Sequence, residues 1–175
     1  MVDQTKLDVI DLLNPLRRYA RSLTRSDSYA EDLVHDAVVR AYERQHTFQR
    51  DGNLRTWLFS IVHNLFIDEW RRKNAEARQQ TELAESLRGT AALDQESALR
   101  LKQILERFLT LPDQQRAALH LVAVEGLSYQ DAAATLGVPM GTLMSRLSRA
   151  RANLRAFEEG REASPTLRIV GGTDE

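Results

Sequence analysis

The chain has 175 residues, long enough for one or two small domains, and a formal net charge of −1. It contains no cysteine, which excludes disulfides, thiolate metal sites and cysteine nucleophiles. No apolar run approaches the ~20 residues of a membrane span, and the N-terminus has no basic-then-apolar signal pattern, so we expect a cytoplasmic protein without membrane insertion.

The predicted elements are helical, because apolar residues recur at helical spacing and no strand-like alternation stands out. We therefore predict an all-α fold with two small helical domains joined by a flexible linker. The C-terminal domain is expected to contain four helices, including a helix-turn-helix. The predicted helices cover residues 6–24, 28–45, 53–73, 95–109, 113–125, 128–136 and 139–157.

Residues 74–94 are the predicted linker, because this stretch has scattered charge and lacks a convincing apolar stripe. The N-terminal domain then covers residues 1–73 and the C-terminal domain covers residues 95–157. Residues 158–175 contain three glycines, a proline and several acids, which predicts a mobile tail. The facing surfaces of the domains are expected to be partly apolar, so that a partner helix could clamp them together.

The second predicted helix, residues 28–45, is strongly amphipathic. Its outward face places Val39 beside Asp32, Asp36 and Arg40. An exposed valine among charges would suit a protein-docking surface. On this pattern alone, an ordinary charged solvent face is the better interpretation.

A turn-rich loop, residues 48–53, precedes the third predicted helix, and Asn53 can cap that helix. Core packing explains most of the apolar residues that follow. It explains Trp57, His63, Asn64 and the basic cluster 71–73 less well. An aromatic ring, an amide and a basic helix end can together hold a melted DNA strand. His63 could equally be a surface histidine with no role.

Residues 127–155 predict two helices joined by a turn. Ser128 is a good N-cap, Gly137 suits a left-handed C-terminal cap, and Pro139 suits the first turn of the next helix. The apolar stripe of the second helix consists of Leu143, Leu147, Ala150 and Leu154.

The opposite face of that helix is basic and contains no acid. Arginines can pair with phosphates or form a two-pronged bond to guanine. A basic amphipathic helix is often only a solvated surface, but the cap, turn, proline start and one-sided basic face agree and favour a helix that enters a DNA groove. Its polar residues are Thr142, Ser145, Arg146, Ser148, Arg149 and Arg151.

No cluster of residues predicts catalysis. The four histidines lack metal-ligand spacing, and there is no glycine-rich phosphate loop and no Gly-x-Ser-x-Gly motif. We therefore expect no metal site, no cofactor and no enzymatic activity.

Two blocks of sequence resemble the motifs of extracytoplasmic-function (ECF) sigma factors, the smallest type of the sigma-70 family. The first comprises residues 30–36 and 54–59 with Asn64, and the second comprises residues 111–116, 125–129 and 141–151. Together they extend over about residues 10–157. Residues 18–23 and the pair His63-Asn64 also resemble the alphaproteobacterial general-stress branch of this family.

The resemblance implies a transcription initiation factor that binds core RNA polymerase. Its N-terminal domain would recognise the promoter −10 element and help to melt it. Its C-terminal domain would recognise the −35 element and touch the polymerase β flap. The residues implied to bind the β′ clamp helices are Asp32, His35, Asp36, Val39 and Arg40.

The expected −10 contacts combine the residues matched to the family with those that packing does not explain. They are Arg50, Asn53, Trp57, His63, Asn64, Arg71 and Arg72. The expected −35 contacts are Thr142, Ser145, Arg146, Arg149 and Arg151. Met144 stands where the family usually has Lys or Arg, so one −35 contact would be lost.

The resemblance also implies control by an anti-sigma factor. In the general-stress branch this partner would be small and soluble, and itself sequestered by a phosphorylated response regulator.

Two alternatives remain open. A sigma mimic would sequester an anti-sigma factor without recognising DNA, but it has no need for Trp57, Asn64, Arg146 and Arg149 together. A dimeric helix-turn-helix repressor would leave the first block of motifs unexplained.

Overall fold

The computed structural model describes residues 4–48, 52–76 and 95–158 of the chain. Within these ranges it is almost entirely helical and contains no strand, so the predicted all-α fold class is confirmed. Arg50, most of the predicted linker and nearly all of the predicted tail lie outside the described residues. No helix among those described is long and apolar enough to cross a membrane.

The described ranges contain seven α-helices. Their bounds and those of two short turns are α1 (Gln4–Thr24), α2 (Asp27–Glu43), a 3-10 turn (Gln45–Thr47), α3 (Leu54–Glu76), α4 (Gln95–Thr110), α5 (Asp113–Leu119), a π-turn (His120–Val124), α6 (Tyr129–Leu136) and α7 (Met140–Glu158). α3 continues three residues past its predicted end because Asn-Ala-Glu contains no helix breaker. The predicted helix 113–125 is a regular α-helix only as far as Leu119, and a π-turn follows.

Local capping explains where several helices begin and end. The Ser26 hydroxyl accepts a bond from the Tyr29 amide at the start of α2, and the Asn53 side chain accepts one from the Thr56 amide at the start of α3. The predicted Asn53 cap is therefore present. At the end of α6, Gly137 has φ 61°, the left-handed conformation predicted for this cap.

The N-terminal core lies between α1, α2 and α3. Tyr19 and Phe59 are fully buried and meet edge to face, with their ring centroids 5.3 Å apart. The amphipathic character predicted for α2 is confirmed, because Leu33, Val34 and Ala37 are buried on the side opposite its charged face.

The C-terminal core lies between α5, α6 and α7, and α4 packs against α7. In the stripe predicted on α7, Leu143, Leu147 and Ala150 are buried and Leu154 is half-buried. The Ser128 hydroxyl accepts a bond from the Asp131 amide at 3.0 Å, so the predicted cap of α6 is also present.

The two sets of helices pack against each other. α6 lies on α3, and α5 with the π-turn lies on α1. The side chain of Arg116 on α5 is fully buried and donates bonds to the carbonyls of Ser22 and Leu23, the last-turn groups of α1 that lack an intrahelical partner. Arg25, with φ 58°, turns the chain after α1 and places its guanidinium 3.3 Å from Asp113. The interface predicted to be partly apolar thus also contains buried and half-buried charges.

Candidate nucleic-acid interface

The outward face of α7 carries the polar residues expected to contact DNA. Ser145, Arg149 and Arg151 are exposed, while Thr142 is half-buried. Arg149 makes no ion pair or hydrogen bond with any described residue, so its five N–H groups are free to bind phosphate or guanine. Met144 is 50% exposed on the same helix, which places an apolar side chain among these polar ones.

Arg146 has a different environment from Arg149. It is half-buried, and burial lowers the pKa of its guanidinium. Its charge also acts on His63 of α3, in the other set of helices. With the two sets of helices packed together, an arrangement called closed from here on, the expected −35 residue Arg146 is therefore near the expected −10 residue His63. Arg146 is also less accessible to DNA than Arg149.

The expected −10 residues divide into two groups. Asn53, Asn64, Arg71 and Arg72 are exposed, as a DNA contact requires. Trp57 is half-buried and packs on Phe48, with ring centroids 5.1 Å apart, so it supports the loop before α3.

His63 is buried, and its Nδ1 lies 3.0 Å from the Tyr19 hydroxyl. This packing differs from the surface position that the sequence analysis considered. A contact between His63 and DNA would require the two sets of helices to separate.

A prediction follows for His63 in the free protein. Burial, and then the charge of Arg146, lower the pKa of its imidazole to about 4, against ~6.5 for an unperturbed histidine. The closed arrangement favours the neutral ring, so it should lose stability as the pH falls from about 6.5 towards 4. In an NMR titration from pH 7.5 to 5, the His63 ring resonances should keep their neutral-imidazole shifts.

Arg146→Gln provides the control for this titration. It should raise the His63 pKa without restoring the ordinary value, because burial is the larger cause. A wild-type midpoint near pH 6.5 would contradict the buried position of the ring.

A cleft of about 440 Å³ separates part of α2 and α3 from the end of α6. Arg40, Arg44, Asn64 and Arg71 line one side, and the cap at Gly137 lines the other. The three arginines make no ion pair with any described residue and outnumber the one acid of the lining, Asp68, so the cleft carries a net positive charge. Arg44 was not among the expected functional residues, because nothing in the local sequence pattern shows that it faces Gly137.

The outward face of α2 carries the residues expected to bind polymerase. Asp32, His35, Asp36 and Val39 are exposed, and Arg40 turns towards the cleft. Tyr42, three residues after Val39 and therefore on the same side of the helix, is also exposed. The helical spacing was the signal that could have identified it. Val39 and Tyr42 give this charged face an apolar strip.

A buried carboxylate, which the sequence analysis did not single out, connects the two sets of helices. Glu125 accepts bonds from Arg18 at 3.1 and 3.2 Å and from Arg55 at 2.9 Å, and its Oε1 lies 3.2 Å from His120 Nε2. Burial alone would raise the pKa of Glu125, but the hydrogen bonds from His120 and Arg18 outweigh it and lower the pKa. Glu125 is therefore ionised.

The π-turn explains how Glu125 and His120 meet. In a regular α-helix residues five apart point in different directions, whereas the wider π-turn, closed by the 3.0 Å bond from the Glu125 amide to the His120 carbonyl, brings them together. Gly126 follows with φ 67°, which lets the chain leave the turn at once.

In the residues that the structure describes, the fold and these surfaces are those expected of a two-part helical DNA-binding protein with a second, protein-docking face. The Sigma-70 region 2 family model matches residues 9–76, and the Sigma-70 region 4 model matches residues 101–154. In the described residues no group of three or more His, Cys, Asp or Glu side chains could hold a metal ion.

Individual relatives agree with the family models. The ECF RNA polymerase sigma factor EcfG of Rhodopseudomonas palustris is 34% identical, over 98% of both chains. The ECF sigma factor SigM of Bacillus subtilis is 30% identical, over 83% of this chain and 89% of its own. The sigma factor RpoE of Bartonella quintana, solved in complex with the anti-sigma factor NepR, has a TM-score of 0.78 at 33% identity, covering 88% of this chain and 96% of its own.

The chain thus belongs to the ECF sigma factors of the sigma-70 family, which are RNA polymerase subunits for transcription initiation and not enzymes. The resemblance stated from the two blocks of motifs is confirmed. The similarity to EcfG agrees with the predicted general-stress branch. The match to region 2 accounts for the first block, which a dimeric repressor left unexplained.

Proposed function

We propose that this sigma factor docks on the β′ clamp helices of core RNA polymerase through α2 and directs the enzyme to promoters that carry −35 and −10 elements. The observation that carries this proposal is the presence of two separate, unpaired faces on one chain: the face of α2 with Val39 and the face of α7 with Arg149. The chain itself would perform no catalysis, and it would act in the cytoplasm.

The −10 element would be recognised by the loop before α3 and by the exposed side chains of α3. An amide such as Asn64 can hydrogen-bond the edge of an unpaired base, and Arg71 and Arg72 can hold the strand by its phosphates. Arg50, Asn53, Trp57 and His63 complete the proposed set.

The −35 element would be recognised by α7 in the major groove. Arg149 is the principal proposed contact because it is exposed and unpaired, and Thr142, Ser145, Arg146 and Arg151 surround it. The same half of the chain would touch the β flap. The predicted domains, residues 1–73 and 95–157 with linker 74–94 and tail 158–175, remain part of this proposal.

Tethering explains why two such small surfaces can select a promoter. A good bidentate base contact is worth ~1–3 kcal/mol, so neither half would select a site sharply alone. Polymerase would hold both halves at once and raise their effective concentration at the DNA. The free chain should therefore bind duplex promoter DNA weakly, with a steep dependence on salt.

An anti-sigma factor is the proposed regulator. The similar RpoE structure is a complex with the anti-sigma factor NepR, which supports a partner of the same kind here. Ile10 on α1 and Leu99, Leu101 and Leu105 on α4 are exposed apolar side chains that such a partner would cover.

The proposal is tested by run-off transcription with purified core polymerase on a promoter library, with and without this chain. We expect chain-dependent transcripts whose templates share a −35 and a −10 element. Asn64→Ala should reduce transcription about fivefold or more by loss of a −10 base contact, since such a contact is worth ~1–3 kcal/mol.

Asn14→Ala removes an exposed amide from α1, outside the surfaces proposed for polymerase and promoter DNA, and should leave transcript levels unchanged. If the chain binds an anti-sigma factor but gives core polymerase no new start sites, it is a sigma mimic and this proposal is wrong.

A further inference from the structure

The contacts of Glu125 cross from one half of the molecule to the other. Glu125 follows the π-turn of the C-terminal half, while Arg18 on α1 and Arg55 on α3 belong to the N-terminal half. Their three hydrogen bonds to the carboxylate are 2.9 to 3.2 Å long. The carboxylate side chain has no exposed surface, whereas Arg18 and Arg55 are 52% and 38% exposed. The two arginines thus cover Glu125 from the solvent side.

This arrangement suits a contact that can open. A carboxylate that is buried only by docking must either keep its cationic partners or regain water. Separation of the halves would hydrate Glu125 and both arginines together, so no charge is left stranded in an apolar core. Half-exposed arginines also let water compete for the same bonds, which keeps the contact weak enough to break.

The packing of the two halves against each other reduces the exposure of residues that would contact promoter DNA in the proposed function. Arg146 of α7 is half-buried, and its charge acts on His63 of α3, which is buried. The α6 cap at Gly137 lies across the cleft from Asn64 and Arg71. The same docking that buries Glu125 therefore restricts both DNA-binding surfaces.

We propose that Arg18 and Arg55 form an intramolecular latch with Glu125, which holds the free sigma factor in an autoinhibited, closed form. The latch must open before α3 and α7 can engage a promoter together. The mutual exclusion of closure and DNA binding rests on the proposed function, whereas closure itself depends only on the contacts described above.

The latch can be tested with spin labels, because the chain has no cysteine of its own. Glu43→Cys on α2 and Ala152→Cys on α7 introduce labels at exposed positions in the two halves. Double electron–electron resonance on the free, full chain should give one narrow distance distribution. In Arg18→Ala/Arg55→Ala the ratio of closed to open molecules should fall roughly tenfold or more, since bonds to a charged group are lost.

A matched control removes two arginines of α1 whose ion pairs stay within the N-terminal half. Arg17 pairs with Glu31, and Arg21 pairs with Asp27 and Glu31. Arg17→Ala/Arg21→Ala should keep the wild-type distances. Both double variants alter only the N-terminal side, so Glu125 and its contact with His120 stay intact.

Binding of a −35 duplex by the free chain gives an independent readout. The latch variant should bind more tightly than wild type, because opening frees Arg146 to join the already exposed Arg149, although it has lost two positive charges. The control variant loses the same charge and should bind no more tightly than wild type.

Identical distance distributions in the two double variants would overturn the latch, as would a wild-type distribution that is already broad and long. The distance measurement contains no polymerase, so it decides the latch whatever run-off transcription shows about sigma activity.

Discussion

Replacing Arg116 by methionine should destabilise both halves of the protein, by ~3–5 kcal/mol in total. Arg116 is fully buried, and its guanidinium donates to backbone carbonyls of α1 and of the segment before α5, as well as to Asp113. Methionine fills a similar volume but leaves these buried carbonyls without donors. Because two of the carbonyls end α1, the damage should extend beyond the half that contains Arg116.

Urea unfolding followed with two probes can detect whether the destabilisation extends to the N-terminal half. Both tryptophans, Trp57 and Trp70, lie on α3, so their fluorescence reports on the N-terminal half, while far-UV circular dichroism reports on all helices. We expect Arg116→Met to lower the midpoint seen by each probe.

Arg155→Met, at an exposed arginine of α7, is the control and should leave both midpoints within error. A fluorescence midpoint that stays at its wild-type value would mean that Arg116 supports only its own half of the molecule.

The helices and their caps could be predicted from the sequence because they depend on residues that are close together along the chain. Ser128 and Gly137 cap α6 as predicted, since capping is decided within four or five residues. The stripe on α7 was predictable for the same reason, because helical spacing alone places Leu143, Leu147 and Ala150 on one side.

The π-turn and the residues between the two halves were not predictable in this way. Glu125 meets Arg18 and Arg55, which are 107 and 70 positions away, and no local pattern links such distant residues. A buried ion pair also has no periodic signature, because each partner looks like an ordinary surface charge. The sequence indicates Arg116 only as part of the motif at residues 111–116, although it is among the largest fully buried side chains of the described residues.

In the candidate site, too, some features depend on local sequence and others depend on how the two halves pack. The exposure of Arg149 and Asn64 follows from their positions opposite an apolar stripe or at a helix surface. The burial of His63 and the half-burial of Arg146 accompany the packing of the two halves, in which α6 lies on α3 and the charge of Arg146 acts on His63. Residue type and spacing therefore identify which side chains can bind DNA, while the packing of the two halves decides which of them are available.

Arg149→Ala should reduce transcription from −35-dependent promoters by roughly tenfold to a hundredfold, because loss of one bidentate arginine contact costs ~1–3 kcal/mol. Arg149 is exposed and makes no bond to any described residue, so its removal should leave the stability of the protein unchanged. Affinity for core polymerase should also stay the same, since the proposed docking face is on α2. Run-off transcription and a fluorescence-anisotropy titration with core polymerase measure the two quantities separately.

Arg155→Ala supplies a matched control on the same helix. Arg155 lies six positions after Arg149, which turns its side chain to a different side of α7 from Arg149, and it is outside the proposed set of −35 contacts. It removes the same charge and should change transcription only slightly. If Arg149→Ala instead abolished binding to core polymerase, α7 would be a polymerase-docking helix, and the assignment of the two faces would have to be reversed. If Arg155→Ala reduced transcription equally, the arginines of α7 would act through their summed charge alone and not through base recognition.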